Sequence, residues 1–229
     1  MKPVEIVLLH GPLVGPASVE PTRQELQSRG LTVVVPKPAN DQANIAWRDW
    51  PASLTDRLPK LDLPVFVGHS MGSLLAARMA ADYAECGMIC LDGDIPCLNG
   101  PTPPVAASFR PIIEGLPQSD RLLPPWHKWW PSDPFQGWPV TDAEKARVSA
   151  DIPQLRFDWF DDSFIMPNWD HAAKGFIQLN AWFDEESKRA EKLGFPVERI
   201  EGTHLHPAVA PVETADAIIA CIARMERPN

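Results

Sequence analysis

A chain of 229 residues, 45% hydrophobic and 22% charged, has the make-up of one ordinary globular domain and is long enough to bury a sizeable core. Its net charge of −9 argues against a nucleic-acid partner, because no basic stripe is available to replace counterions around phosphates. No apolar run reaches membrane-spanning length, the N-terminus runs straight into a short strand-like segment without a signal-peptide pattern, and Cys86, Cys90, Cys97 and Cys221 form neither a CxxC pair nor a zinc spacing; a soluble, cytoplasmic protein with reduced thiols is expected.

Along the chain, short apolar runs alternate with amphipathic stretches. Val4–Leu9 reads as a buried strand ending in His10-Gly11-Pro12. Val19 to Arg29 forms a helix stopped by Gly30, and the β-branched strand Leu31–Val35 follows. Trp47 to Leu58 is a second helical segment. Pro64–Gly68 is a strand without a polar residue, as expected when both faces are covered. Ser70 to Tyr83, rich in Ala, Leu and Met, is a strong helix, and Met88–Leu91 is the next strand. This alternation implies an α/β fold: a mostly parallel sheet with helices on both faces.

The pattern breaks after Asp94. The 26 prolines, about twice the usual frequency, are densest between Pro96 and Pro139, where tryptophans also gather. Asp142 to Ala150 is helical, with Thr141 as its cap. Residues 96–150 are therefore expected to form a lid inserted in a single domain spanning 1–229. Order resumes with strands at Leu155–Phe160 and Phe176–Leu179, a charged helix from Asp184 to Leu193, the last strand Val197–Ile200, and a closing helix from Val212 to Met225.

Gly68-His69-Ser70-Met71-Gly72 matches the pattern Gly-x-Ser-x-Gly. Preceded by PVFV and followed by SLLAARMA, it sits at a strand-to-helix turn. Such a turn strains its central residue and lifts the side chain above the sheet; small residues two positions either side leave room for the neighbouring backbone. Ser70 is the candidate nucleophile. The helix after it points its N-terminus at the site, favouring negative charge there.

With these motifs the chain resembles the α/β-hydrolase superfamily over nearly its whole length. The match covers the early strand ending in His10-Gly11, the elbow at Ser70, an insertion after Met88–Leu91, and a late histidine before the last helix. Two leading strands of the fold are missing, so this is a short version of it. Relatives include esterases, lactonases, thioesterases, carbon–carbon hydrolases, lyases and non-enzymes, so the resemblance leaves the reaction open. It implies a triad in the order Ser, acid, His. Gly202-Thr203-His204 matches the loop that delivers the imidazole, making His204 the base, with His206 as competitor. Asp162, beyond the lid and after Leu155–Phe160, is taken as the acid; Asp161, Asp184, Asp92 and Asp94 are alternatives. Of the two backbone donors of an oxyanion hole, Met71 supplies one. The residue after His10-Gly11 is Pro12, which has no N–H, so Leu13 is assigned the other.

Trp126, Trp129, Trp130 and Trp138, with Phe135, read either as a packed satellite core or as an aromatic wall over Ser70; Trp126, Trp129 and Trp130 are assigned to substrate binding. The expected activity is hydrolysis of carboxylic esters of a small, largely apolar or aromatic substrate. Lactonase, thioesterase or carbon–carbon hydrolase activity with the same residues is the alternative, as is a lyase or a non-hydrolytic binding protein. No metal, nucleotide or other cofactor is implied. The only expected partner is a small-molecule substrate; neither nucleic acid nor membrane is one. The oligomeric state stays open, a homodimer included.

Overall fold

The described residues of the computed structural model, 4–38, 42–135 and 140–225, follow the strand–helix alternation closely. β1 (Glu5–Leu9) leads through α1 (Glu20–Ser28) to β2 (Thr32–Val34), then through α2 (Trp50–Thr55) to β3 (Pro64–His69), α3 (Gly72–Ala80) and β4 (Gly87–Leu91). A long insertion holds β5 (Gly100–Thr102), α4 (Arg110–Gly115), α5 (Asp142–Ala150) and β6 (Phe164–Met166). The sheet resumes at β7 (Ala173–Gln178), followed by α6 (Asp184–Lys192), β8 (Val197–Arg199), the short α7 (His206–Val209) and α8 (Pro211–Arg224). The main sheet runs β2-β1-β3-β4-β7-β8, and every pairing in it is parallel. All strand C-termini therefore reach the same edge, where ligands of open α/β sheets are bound.

Alternate residues of each strand feed two cores, since side chains of a strand point to opposite faces. Ile6, Leu8, Val65, Val67, Ile89 and Leu91 pack with Leu26 of α1 and Ile218 and Cys221 of α8. Val7, Leu9, Phe66, Met88 and Phe176 face the other way, onto Trp50 and Leu54 of α2, Leu75 and Met79 of α3, and the insertion. Covering both faces explains why β3 has no polar residue before its last position.

The insertion departs from expectation in one place. Leu155–Phe160 is not a strand: Phe157–Asp161 forms a 3-10 turn, and Trp159 and Phe160 are buried among other aromatics. Apolar runs of this length do not distinguish a strand from a buried irregular segment. Instead β6 pairs antiparallel with β5, joining chain on both sides of α5. α5 itself matches its expected bounds. Thr141 Oγ1 accepts a hydrogen bond from Glu144 N, and Glu144 Oε2 accepts one from Thr141 N, a complete capping box.

Hydrogen bonds that fasten the insertion to loops of the sheet domain include three between well-separated segments. Ala17 N donates to Asp151 Oδ2 (2.6 Å), Trp159 Nε1 to the Ile45 carbonyl (2.8 Å), and Trp47 Nε1 to the Thr102 carbonyl (2.9 Å). Among the described residues no helix is long and apolar enough to cross a membrane.

Candidate active site

β3 ends at His69 and α3 begins at Gly72, so Ser70 sits in the turn between them. Its φ of 57° lies in the left-handed region that a residue with a Cβ rarely adopts. The turn is held by Ser70 N donating to the Leu91 carbonyl (2.9 Å) and Ser73 N to the Ser70 carbonyl (3.0 Å). Only glycine fits on either side. A Cβ on Gly68 would lie 2.3 Å from the Gly72 carbonyl oxygen, and one on Gly72 would lie 2.5 Å from that of Leu9.

Ser70 opens onto a cavity of about 500 Å³ at the C-terminal edge of the sheet, and His204 lines the same cavity. His204 is delivered by the loop between β8 and α7. Its Nδ1 lies 2.7 Å from Asp92 Oδ2. With Nδ1–H donated to that carboxylate, Nε2 is the nitrogen left to accept a proton, a tautomer inferred from the hydrogen bonds. Asp92 is fully buried and follows the last residue of β4 with a φ of 49°. Its carboxylate also accepts from Leu179 N (2.8 Å) and Asn180 Nδ2 (2.5 Å), both at the end of β7. A buried carboxylate needs such satisfaction, and here one of its three donors is the imidazole.

Asp162, expected as the acid, does not meet His204. Its carboxylate accepts from Arg48 N and Arg48 Nε (2.9 and 3.0 Å) and from Ser163 N (2.9 Å). Partial burial alone would raise its carboxyl, but these bonds hold it below the usual range. The assignment rested on a strand at Leu155–Phe160, and without that strand Asp162 is carried to the flank of the insertion. Asp161 pairs with Arg110, and Asp184 accepts from Gln178 Nε2. His206, the competing base, is turned away: its Nε2 lies 2.9 Å from Glu213 Oε2.

Two further histidines lie behind the site. His69 is fully buried, with Nε2 2.6 Å from the His204 carbonyl, so the elbow grips the backbone of the loop that carries the imidazole. Burial, and then the neighbouring His204, push its pKa well below the ordinary value. Burial lowers His10 from 6.5 to about 4. Both are neutral when folded, whereas the unfolded imidazoles take up protons below pH 6.5. The stability they contribute is full above pH 6.5 and declines as pH falls from there toward 4. For His10 alone the loss reaches roughly 3 kcal/mol at pH 4. Urea melts at pH 7.5 and 4.5 are expected to show a large drop in midpoint, part of which His10→Asn removes.

Pro12 and Leu13 are the central residues of a turn closed by Val14 N donating to the Gly11 carbonyl (3.0 Å). Proline suits the first central position of such a turn, and the N–H groups at both positions are left out of its hydrogen bonding. Pro12 has none, which leaves that of Leu13. Leu13 and Met71 both line the cavity, and among the described residues neither N–H donates to another protein group.

Of the expected aromatic residues, Trp126 and Trp130 line the cavity. Trp129 does not: it is buried against Phe160 and donates Nε1–H to the Pro124 carbonyl (2.6 Å). Trp126 and Trp130, before and after Trp129 around the 3-10 turn Trp126–Lys128, share the cavity while Trp129 packs elsewhere, which a count of tryptophans does not reveal. Trp138 lies outside the described residues. Trp182 and Phe183, absent from the expectation, complete the wall. They follow β7 directly, and position at a strand C-terminus is the signal that could have found them. Phe183 stacks on the His204 ring at 5.8 Å, and Trp182 lies 4.9 Å from Trp130.

A hydroxyl and an imidazole on one cavity, the imidazole oriented by a buried carboxylate, can generate an activated oxygen nucleophile. A larger groove of about 830 Å³ runs past Trp169, Lys174 and Arg199 but contains neither Ser70 nor His204. Among the described residues no group of three or more His, Cys, Asp or Glu is placed to hold a metal ion.

A model of the "Alpha/beta hydrolase family" matches residues 6–217. Among curated proteins none matches the sequence significantly. Solved structures that superimpose on the chain include tomato methylketone synthase I bound to 2-tridecanone, with 16% identity over 99% of this chain and 100% of that one and a TM-score of 0.70. An extracellular alpha/beta-hydrolase from a Paenibacillus species has 15% identity, covers 96% and 99%, and has a TM-score of 0.69. A mutant of polyneuridine aldehyde esterase has 14% identity, covers 95% and 98%, and has a TM-score of 0.67. At these identities the likeness is one of fold.

Proposed function

Because the chain belongs to the alpha/beta hydrolase family, we propose that it is a serine hydrolase that cleaves carboxylic esters through an acyl-enzyme. The observation that carries this reading is the 2.7 Å contact between His204 Nδ1 and Asp92, which leaves Nε2 as the accepting nitrogen of a ring that lines the same cavity as Ser70. In this mechanism Ser70 Oγ attacks the ester carbonyl carbon while His204 Nε2 takes the hydroxyl proton. Asp92 holds the ring and stabilises the imidazolium. The N–H groups of Met71 and Leu13 receive the oxyanion, and the start of α3 adds its positive end. His204 then returns the proton to the leaving alkoxide oxygen, which departs as the alcohol. Water, deprotonated by the same nitrogen, attacks the acyl carbon, frees the acid and restores Ser70.

The wall of Trp126, Trp130, Trp182, Phe183 and Phe109 supports a substrate with an apolar or aromatic body and excludes water from the acyl carbon. The test is intact-protein and peptide mass spectrometry after exposure to a fluorophosphonate probe. A single adduct on the peptide containing Ser70 is expected. A folded protein that acquires no adduct, or acquires it elsewhere, would overturn the proposal.

A further inference from the structure

Among the described residues the cavity over Ser70 is lined mostly by apolar groups. Its lining includes five aromatic residues, Phe109, Trp126, Trp130, Trp182 and Phe183, and neither a lysine nor an arginine. Among the described residues the only ionisable group in that lining, apart from the His204 imidazole, is Asp94. Asp94 follows Gly93, whose Cα packs so tightly on the elbow that a Cβ there would lie 2.3 Å from the Ser70 carbonyl oxygen. The carboxylate is thus tethered beside the nucleophile.

Asp94 is also unpartnered. Its surface is open to the cavity, and among the described residues its carboxylate accepts no hydrogen bond and pairs with no cation. Arg189, whose charge acts on Asp94, is already engaged: it lies 3.3 Å from Glu186, which also accepts from Ile95 N. Partial burial, and then the charge of Glu186, raise the Asp94 carboxyl above its ordinary value, with Arg189 offsetting part of the effect.

The rings form a continuous surface. Phe109 and Trp130 are 6.2 Å apart, Trp126 and Trp130 5.7 Å, and Trp130 and Trp182 4.9 Å. Aromatic faces attract cations, most strongly where water is excluded, and cages of such rings bind quaternary ammonium groups. The net charge of −9 adds long-range attraction for a positive ligand.

We infer that the cavity selects esters whose acyl or alcohol part carries a positively charged nitrogen, a protonated or quaternary amine, seated against Asp94 and the tryptophan wall. This rests on the esterase reading of Ser70 for turnover but not for binding, and the test separates the two. For turnover, wild-type protein is given the benzoate esters of choline and of 3,3-dimethylbutanol, which differ by nitrogen against carbon at one atom. The expected kcat/KM ratio favours the charged ester by at least about tenfold, most of it from attraction between the cation and the Asp94 carboxylate. The ratio collapses toward one in Asp94→Asn and Asp94→Ser. Reading the ratio within each variant cancels any general loss of activity.

For binding, quenching of tryptophan fluorescence by phenyltrimethylammonium and by tert-butylbenzene is compared in wild type and Asp94→Asn without any turnover. Tighter binding of the cation, lost in the variant, supports the inference even if neither ester is hydrolysed, in which case only the esterase reading fails. Equal or better binding and turnover of the neutral partner overturns the inference and leaves the esterase reading in place. A charged preference that persists in both Asp94 variants also overturns it.

Discussion

Ser70→Ala is expected to lower kcat by roughly 10⁵-fold on any ester the wild-type protein turns over, with little change in KM. Alanine removes the only protein group in the proposed pathway that bonds to the acyl carbon, while leaving the turn intact. The methyl group keeps the Cβ that the left-handed backbone of residue 70 already accommodates. The residual rate would come from water activated by His204 and from the Met71 and Leu13 N–H groups. His204→Ala is expected to lose about as much, and the double variant scarcely more, because a hydroxyl and the base that deprotonates it act as one unit. Steady-state kinetics on the three variants checks this. If Ser70→Ala stayed within about tenfold of wild type, the covalent route would be excluded and direct attack by water would take its place.

Asp92→Asn is expected to cost roughly 10⁴-fold in kcat at neutral pH, again with KM nearly unchanged. The substitution preserves size and can keep the bond from Leu179 N. It replaces an acceptor facing His204 Nδ1 with an N–H donor or a weaker, uncharged acceptor. With a donor there, Nδ1 becomes the acceptor and the ring proton moves to Nε2, the nitrogen that should receive the proton of Ser70. The imidazolium also loses its counter-charge. Asp162→Asn, in contrast, disturbs an ion pair with Arg48 on the flank of the insertion and is expected to leave kcat within about twofold of wild type and stability within ~1 kcal/mol. Parallel kinetics on the two variants decides which carboxylate serves the base. A severe loss in Asp162→Asn with none in Asp92→Asn would reverse the assignment.

The contrast between these two aspartates shows where sequence reading reaches and where it stops. The strands and helices before Asp94 are fixed by local signals: β-branched or wholly apolar runs, a Gly stop after α1, an Ala- and Leu-rich α3. Glycines at 68 and 72 mark a turn that nothing larger can make. The His204 loop is legible because the last strand and last helix bracket it. The acid is not. Asp92, Asp94, Asp161, Asp162 and Asp184 are equivalent as letters, and what separates them is which strand end each occupies. That depends on β7, not Leu155–Phe160, being the strand beside β4. The aromatic wall fails in the same way. Trp129 is closer in sequence to Trp130 than Trp182 is, yet Trp182 shares the cavity and Trp129 does not. Contacts set by a Pro-rich loop are long-range in sequence, and neither periodicity nor composition encodes them.

The bond from Ala17 to Asp151, with those of Trp47 and Trp159, bears on how the molecule can breathe. A cap over a cavity is often a separate opening unit, hinged so that the rest of the domain stays still. Here the end of α5 is tied to residues just past the Leu13 turn, so the cap and the loop proposed to receive the oxyanion belong to one cooperative patch of the native state. Fluctuations wide enough to admit a bulky ligand by swinging the cap would also loosen the loop that must receive the developing charge. Entry through the fixed mouth beside the exposed Trp182 keeps that loop in place. If the Leu13 turn receives the oxyanion as proposed, its receptor is formed before the ligand arrives, at the expense of adaptability in ligand size.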